Sequence, residues 1–249
     1  MNINIKAPQF CYEIGKRNNN EDYIFPAPST ASEKSRLFLV CDGMGGHEDG
    51  EIASKTATEA IAEYWSANPH QPDDAEKVNQ AITLAVNKMN HLVADAKANE
   101  SMGTTMTLAY IGKESVLVAH VGDSRIYQIR PGSGIIYQSK DHSLVQKWVD
   151  AGLLTPEEAR THPKSNIITQ VIQPRSLAFI NPEVVVLNDI EKGDYLFLCT
   201  DGITESIDDY YLVEIISAHK SDHKKMNRIK QICLKNSKDN HSAYLIQML

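Results

Sequence analysis

The chain contains four strand-like segments in direct succession, with no helical pattern between them. Each is a short run rich in apolar and β-branched residues, and Gly-containing turns separate neighbouring runs. The segments are residues 104–110, 115–120, 125–130 and 135–138. Strands that follow one another in this way form a meander, so the middle of the chain predicts a β-sheet.

Helical patterns lie on both sides of this meander. Residues 52–65 and 75–98 precede it, and the second segment has apolar residues at spacings of three and four, which predicts an amphipathic helix. Thr155, Pro156 and Glu158 form the capping-box pattern of a helix start. The other predicted segments are strands at 36–41, 183–187, 195–199 and 243–247, and helices at 142–150, 208–218 and 223–235. This order predicts an α/β (α+β) fold with two sheets flanked by helices in a single domain, residues 1–249.

Composition excludes several classes of protein. With 249 residues, 42% of them hydrophobic, the chain has enough material for a large core, unlike a collagen, a disordered tail or a disulfide mini-protein. The net charge of −7 disfavours a general nucleic-acid binder. No apolar run is long enough to span a bilayer, and residues 1–10 do not resemble a signal peptide. Four cysteines without C-x-x-C spacing are expected to be reduced thiols, and we expect a cytoplasmic protein.

Acidic residues recur at the ends of the predicted strands. Asp42, Asp123 and Asp201 each follow an apolar run, and Asp239 immediately precedes one. Glu21 and Asp22 stand before a fifth, shorter run. A single Asp-Gly after a strand is usually only a turn former. A repeated pattern indicates a cluster, and clustered buried carboxylates need cations to neutralise them. Oxygen ligands of this kind favour Mg²⁺ or Mn²⁺ over Zn²⁺.

Seven short motifs occur in the order and spacing of one known family. The chain resembles the metal-dependent protein phosphatases, the phosphatase 2C-like family, over nearly its whole length, and the segment from Asp141 to Ile172 resembles the flap of the bacterial members, which we place at about residues 141–192. The motifs are RNNNED at 17–22, DGMGGH at 42–47, GTT at 103–105, VGDSRIY at 121–127, DHS at 141–143, LCTDG at 198–202 and DN at 239–240.

The resemblance implies a fold and a metal site. The fold would be a four-layer αββα sandwich with two central, mostly antiparallel sheets. Two Mn²⁺ or Mg²⁺ ions would be bound, and a third is common in bacterial members. Asp42 would bridge the pair, and Asp123 with Asp201 would hold the third metal. The other ligands of the pair would be Glu21, the Gly43 carbonyl, Asp201 and Asp239.

The resemblance also implies roles around the metals. Asp42, Asp201 and Asp239 would be the catalytic residues, Arg17 would grip the substrate phosphate, Asp22 would hydrogen-bond metal-bound water, and Asn240 would support Asp239. The implied reaction is hydrolysis of phosphoserine or phosphothreonine by a water activated by two metals. Partners would be phosphorylated proteins and a cognate Ser/Thr kinase, with no nucleic acid and no membrane span, and the chain would be a monomer.

Two other functions remain open from the sequence. A non-catalytic module of the same fold would bind phosphoproteins without hydrolysing them, although this chain keeps every metal-binding acid of the family. A hydrolase of small phosphate esters would use the same site. Turnover of a phosphopeptide compared with small phosphomonoesters would separate these alternatives.

The chain departs from the family pattern at two positions. Met44 stands where eukaryotic members have the histidine thought to protonate the leaving group, and methionine cannot donate a proton. His47 is nearby in sequence, with no direction implied. Gln173 stands where bacterial members usually have glycine. His120 alternates with apolar residues, so we expect a core histidine with satisfied hydrogen bonds, and we expect Cys41 and Cys199 to be buried.

Overall fold

The computed structural model describes residues 2–45, 48–95 and 98–249. Its strands are β1 (Gln9–Glu13), β2 (Asp22–Phe25), β3 (Leu37–Met44), β4 (Gly103–Thr104), β5 (Met106–Ile111), β6 (Val116–Val121), β7 (Arg125–Arg130), β8 (Gly134–Gln138), β9 (Glu183–Leu187), β10 (Tyr195–Cys199) and β11 (His241–Gln247). Its α-helices are α1 (Glu48–Ala67), α2 (Ala75–Ala94), α3 (Leu144–Asp150), α4 (Pro156–Thr161), α5 (Asp201–Thr204), α6 (Asp209–Ser217) and α7 (Asp222–Asn236), and a 3₁₀ turn covers Leu177–Phe179.

The strands form two antiparallel sheets. Sheet I has the order β1-β11-β10-β7-β8, and sheet II has the order β2-β3-β5-β6-β9, with β4 paired to the end of β3. The meander therefore divides between the sheets, with β5 and β6 in sheet II and β7 and β8 in sheet I. Strand β1 pairs with β11, so the two ends of the chain meet in one sheet.

The alternation of side chains along β3 explains the layers. Leu39 and Cys41 point to one face and pack with α1 and α2, while Phe38 and Val40 point to the other face, between the sheets. A third cluster packs α6 and α7 against the outer face of sheet I. Helices therefore cover the outside of both sheets. This is the four-layer αββα arrangement that the resemblance predicted.

Most predicted elements are confirmed. Several bounds shift by one to four residues, as in α1, which was predicted over 52–65, and two further differences bear on the site. The helix predicted over 75–98 ends at Ala94. Ala96, one of the apolar residues at helical spacing in that segment, lies outside the described residues. The strand predicted over 104–110 is two strands, β4 and β5, interrupted at Thr105. Asp42 lies inside β3 instead of after it, because pairing with β4 carries the strand on to Met44. The capping box at Thr155 is present at the start of α4.

Four elements were not predicted from local patterns: β1, β2 as a defined strand, the single turn of α5 and the 3₁₀ turn at Leu177–Phe179. The four cysteines are free and buried; burial of Cys41 and Cys199 was expected from the sequence. Within the three described ranges, no helix is both long enough and apolar enough to cross a membrane.

Candidate metal centre

Five aspartates from distant parts of the chain meet at one end of the two sheets. Asp22 and Asp42 are register neighbours on β2 and β3 of sheet II, and Asp123 follows β6 of the same sheet. Asp201 follows β10 and Asp239 precedes β11, both in sheet I. The charges of these groups act on one another, and the side chains of Asp42 and Asp201 are in hydrogen-bonding contact. The sequence-predicted acids therefore form one cluster.

The backbone around Asp42 is held by two threonines, Thr104 at the end of β4 and Thr105 between β4 and β5. The Asp42 amide donates to Thr105 Oγ1 at 3.0 Å. Its carbonyl oxygen accepts from Thr104 Oγ1 at 2.9 Å and from the Thr105 amide at 2.9 Å. Both backbone groups of Asp42 are thus satisfied locally, which leaves its carboxylate as the group presented to the cluster.

Gly43 lies in a gap that no larger residue can occupy. A Cβ placed on Gly43 would lie 2.0 Å from the Gly50 carbonyl oxygen, in the first turn of α1. The Gly43 amide donates to the Glu21 carbonyl oxygen at 3.0 Å. A Cβ on Gly50 would in turn lie 2.7 Å from Glu21 Oε2. The two glycines bring the Glu21 carboxylate, the β3 backbone and the start of α1 together.

Asn240 connects the two halves of the cluster. Its Nδ2 donates to the carbonyl oxygens of Ile14 at 2.8 Å and Asn19 at 2.9 Å. Its Oδ1 accepts from the Glu21 amide at 2.9 Å, and its own amide donates to Asp239 Oδ1 at 2.8 Å. A buried side chain with all these bonds fixes the Glu21 segment relative to Asp239. The supporting role inferred from the resemblance agrees with this geometry.

Arg17 lies at the rim of the cluster. Its Nη2 bonds Asp239 Oδ2 at 2.5 Å, and its side chain is 52% exposed. The guanidinium is therefore anchored beside the acids while much of it faces solvent, where a phosphate group could reach it.

Burial raises the pKa values of these carboxyl groups, and the negative charges of neighbouring carboxylates raise them further. Burial is the main reason that the pKa of Asp22 rises to about 8 and that of Asp201 to about 6; nearby charges add to both shifts. The pKa of Asp42 is also well above its usual value, because of burial and then the charges of Asp201, Asp22 and Asp123. For Asp123, burial and the Asp201 charge raise the pKa to about 8. The metal-free site therefore holds protons that a cation could replace.

Two carboxylate oxygens provide a direct test of whether metals fit. Asp123 Oδ1 and Asp201 Oδ1 are buried and have no hydrogen-bond partner among the described residues. Unpaired buried oxygens are costly unless a ligand binds them. The donor set consists of carboxylates, which suits Mg²⁺ or Mn²⁺. The residues present therefore fit the divalent metals that the sequence implied.

Three contributing residues were missed from the sequence. Thr200 Oγ1 donates to Asp22 Oδ2 at 3.1 Å, in the buried floor of the cluster. Glu205 is the first of the neighbouring charges that raise the pKa of Asp201. The spacing of four residues between Asp201 and Glu205 was an available signal, because it places both side chains on one face of a helical turn. Gly50 had no signal beyond its position near the DGMGGH motif.

The two departures from the family pattern lie close together. Met44 is at the end of β3, paired with Gly103. Gln173 follows Ile172, which pairs with Thr104, and a Cβ on Gly103 would lie 3.6 Å from the Gln173 Cβ and 3.5 Å from the Met44 Cγ. The segment that carries Gln173 therefore packs beside the last pair of β3. His47 lies outside the described residues.

Comparison with known proteins gives one consistent family. The sequence profile described as Protein phosphatase 2C matches residues 12–245. Protein phosphatase PhpP of Streptococcus pneumoniae is 37% identical over 206 residues, which cover 82% of this chain and 80% of PhpP.

Solved structures agree with that family. The crystal structure of the Mycobacterium tuberculosis serine/threonine phosphatase PstP/Ppp has a TM-score of 0.84 and 28% identity, and the match covers 98% of each chain. The catalytic domain of PstP in complex with two manganese ions has a TM-score of 0.81 and 26% identity, with 99% of each chain covered.

Proposed function

This chain belongs to the protein phosphatase 2C family, and on that premise we propose that it is a metal-dependent protein serine/threonine phosphatase. The observation that carries the proposal is the convergence of carboxylates from both sheets, with two buried oxygens that lack partners among the described residues. Water and a phosphoserine or phosphothreonine would be converted to inorganic phosphate and the free hydroxyl side chain.

The residues assigned to the metals follow from the cluster. Asp42 is central, because its charge interacts with those of Asp201, Asp22 and Asp123, and we assign it to both metals of a pair. Glu21 and the Gly43 carbonyl would complete one position, and Asp201 with Asp239 the other. When bound, Mn²⁺ or Mg²⁺ would withdraw charge from the phosphoryl oxygens and lower the pKa of a coordinated water.

The chain's own residues bind and orient the substrate. Arg17 is positioned to take two phosphate oxygens through its exposed N–H groups, while its bond to Asp239 fixes its direction. Asp22 is buried beside Thr200 and would accept a hydrogen bond from water at the base of the site. Met44 cannot protonate the leaving oxygen. We assign that proton to solvent water.

The function can be tested by phosphate release from a phosphothreonine peptide. We expect release to require Mn²⁺ or Mg²⁺ and to stop when a chelator is added. A small phosphomonoester, measured in parallel, should be turned over with lower kcat/KM than the peptide. Binding of the peptide without release would identify a non-catalytic module, and a preference for the small ester would identify a different hydrolase.

Arg17→Ala should weaken phosphate binding more than it weakens metal binding. Loss of hydrogen bonds to a charged group should lower kcat/KM about 10- to 100-fold. Arg17→Lys should recover only part of this, because an ammonium group cannot form the bidentate contact. Mn²⁺ affinity, measured by calorimetry, should change less than kcat/KM in both variants. In Arg17→Ala the lost bond to Asp239 and the lost positive charge act on metal binding in opposite directions. Unchanged kinetics combined with weaker Mn²⁺ binding would contradict the assignment.

Asp123→Ala tests the third metal. We assign Asp123 to a separate, weaker metal with Asp201, because the pair already has the carboxylates of Glu21, Asp42, Asp201 and Asp239. A fifth carboxylate would leave fewer positions for water. The variant should keep two tight Mn²⁺ sites and its fold, with phosphopeptide turnover lower on the order of tenfold. A structure with excess Mn²⁺ that showed Asp123 bound to either paired metal would contradict this.

We also propose one phosphatase domain over residues 1–249, with the flap at about 141–192. The pairing of β1 with β11 supports a single unit, because neither end of the chain is separable from sheet I. We further propose that the chain is a cytoplasmic monomer acting on phosphoproteins. A cognate Ser/Thr kinase would supply such substrates, because transfer of a phosphoryl group to serine or threonine hydroxyls forms phosphoserine and phosphothreonine.

A further inference from the structure

The sequence predicted that the core residue His120 has partners for all its hydrogen-bonding groups, and the structure corrects this expectation. The side chain is fully buried on β6. Its Nε2 is 2.7 Å from the Lys140 carbonyl oxygen, which requires the proton to be on Nε2. Its Nδ1 then carries a lone pair, and it has no hydrogen-bond partner in the described part of the chain. A buried, unpaired nitrogen with a fixed tautomer is poised to accept a ligand.

Two further residues with potential ligand groups lie close to His120. His142 and Glu183 each offer one ligand atom, and these atoms and that of His120 all lie within 4.8 Å of one another. The rings of His120 and His142 are stacked, with centroids 4.5 Å apart. Both His142 and Glu183 are only partly buried, so an ion could enter and keep a water ligand. None of the three belongs to the carboxylate cluster assigned above.

The donor set differs in kind from that cluster. Two imidazoles and one carboxylate form a three-ligand zinc set with an open fourth position. The bond from His120 to a backbone carbonyl is the outer contact that orients metal-bound histidines. We propose that His120, His142 and Glu183 bind a divalent transition metal ion, Zn²⁺, at a site additional to the Mn²⁺ or Mg²⁺ pair.

The site requires movement of its side chains. A metal ion lies in the plane of each imidazole that binds it, so the partly exposed His142 ring must rotate out of its stack on His120. Two ligands of a tetrahedral Zn²⁺ ion, each about 2.1 Å from it, are about 3.4 Å apart, so the three groups must close in. His142 Nδ1 accepts from the Gly122 amide at 3.2 Å. Binding through either nitrogen of His142 gives up that one long hydrogen bond. Tyr137, which hydrogen-bonds Glu183, would remain as an outer partner of the carboxylate.

Occupancy would tie two points of the flap to β6. His120 is on β6, and His142 is at the start of the proposed flap. Glu183 is the first residue of β9, which follows the 3₁₀ turn at Leu177–Phe179. The His142 carbonyl already accepts from the Thr169 amide at 2.7 Å and from Thr169 Oγ1 at 3.0 Å, which holds the middle of the flap. One ion would therefore restrain three points that otherwise depend on hydrogen bonds.

Co²⁺ is a suitable probe, because it replaces Zn²⁺ and absorbs visible light strongly only in tetrahedral sites. We expect the full chain, with saturating Mg²⁺, to develop the tetrahedral Co²⁺ spectrum at one equivalent, and Zn²⁺ to abolish it by competition. Glu183→Gln and His142→Gln should each bind at least about tenfold more weakly, since loss of even an outer partner has this effect. Circular dichroism should confirm that both variants are folded.

Two controls separate this site from other sources of signal. His70→Gln removes an exposed surface histidine and should leave the spectrum unchanged. Asp239→Asn weakens the proposed metal pair and should also leave it unchanged. His120→Asn is a fully buried change, so the partly exposed Glu183 carries the decisive test. A wild-type chain without the spectrum, variants of Glu183 and His142 that keep it, or loss of the spectrum in Asp239→Asn would each overturn the proposal.

Discussion

Asp42→Asn is expected to bind no metal pair and to lose nearly all phosphatase activity. The change keeps the shape of the side chain and removes one charge at the centre of the cluster. Loss of an outer partner of a metal ligand lowers affinity or activity about 10- to 100-fold, and loss of a bridging ligand should exceed that range. Mn²⁺ titration by calorimetry and phosphopeptide turnover provide the two measurements.

The same variant should be more stable than the wild-type chain when metals are absent. The Asp42 carboxyl is destabilised by burial and by the charges of Asp201, Asp22 and Asp123, and the amide removes these costs. A loss of activity together with a higher unfolding temperature cannot result from misfolding. Glu63→Gln is a matched control, because Glu63 is exposed and pairs with Lys88 on the surface. Two Mn²⁺ sites of wild-type affinity in Asp42→Asn would show that Asp42 is not the bridge.

Local patterns predicted the elements that local forces determine. The bounds of β7, β9 and β10 match the sequence prediction because each is a short apolar run between turn residues. β1 was missed because only the Cys11 side chain is buried in its sequence, QFCYE. Its identity as a strand depends on pairing with β11, some 230 residues later. No local window contains that information.

Part of the candidate site could likewise be predicted from the sequence, and part could not. The acids at strand ends could be gathered into a cluster from the sequence, because Asp42, Asp201 and Asp239 adjoin runs that had to be buried. The residues that hold these acids in place could not be predicted from the sequence. Thr105 Oγ1, between β4 and β5, accepts a hydrogen bond from the Asp42 amide. Gly50, in α1, lies close to the backbone of Gly43 in β3. The unpaired nitrogen of His120 likewise depends on where the Lys140 carbonyl falls. Register and close approach are properties of the folded chain.

The stability of the metal-free protein should fall as pH rises from 6.5 to 8.5. The folded-state pKa values of Asp22 and Asp123 are about 8, whereas an unfolded aspartate has a pKa of about 3.9. In this range the folded chain holds more protons than the unfolded chain, so the free energy of unfolding decreases with pH. The slope is up to about 1.4 kcal/mol per pH unit for each such carboxyl. The lowered pKa of His142, about 4, acts oppositely but only below about pH 6.5.

Saturating Mn²⁺ should abolish this decline, because bound metal replaces the protons and keeps the carboxylates ionised. Urea unfolding at pH 6.5, 7.5 and 8.5, with chelator and with Mn²⁺, measures both slopes. Asp123→Asn should reduce the decline in chelator by the share of one carboxyl, while Glu63→Gln, which alters an exposed acid, should not change it. If the metal-free chain were equally stable or more stable at pH 8.5, the acids would not be crowded as described, and the electrostatic argument for a metal cluster at this end of the sheets would fail.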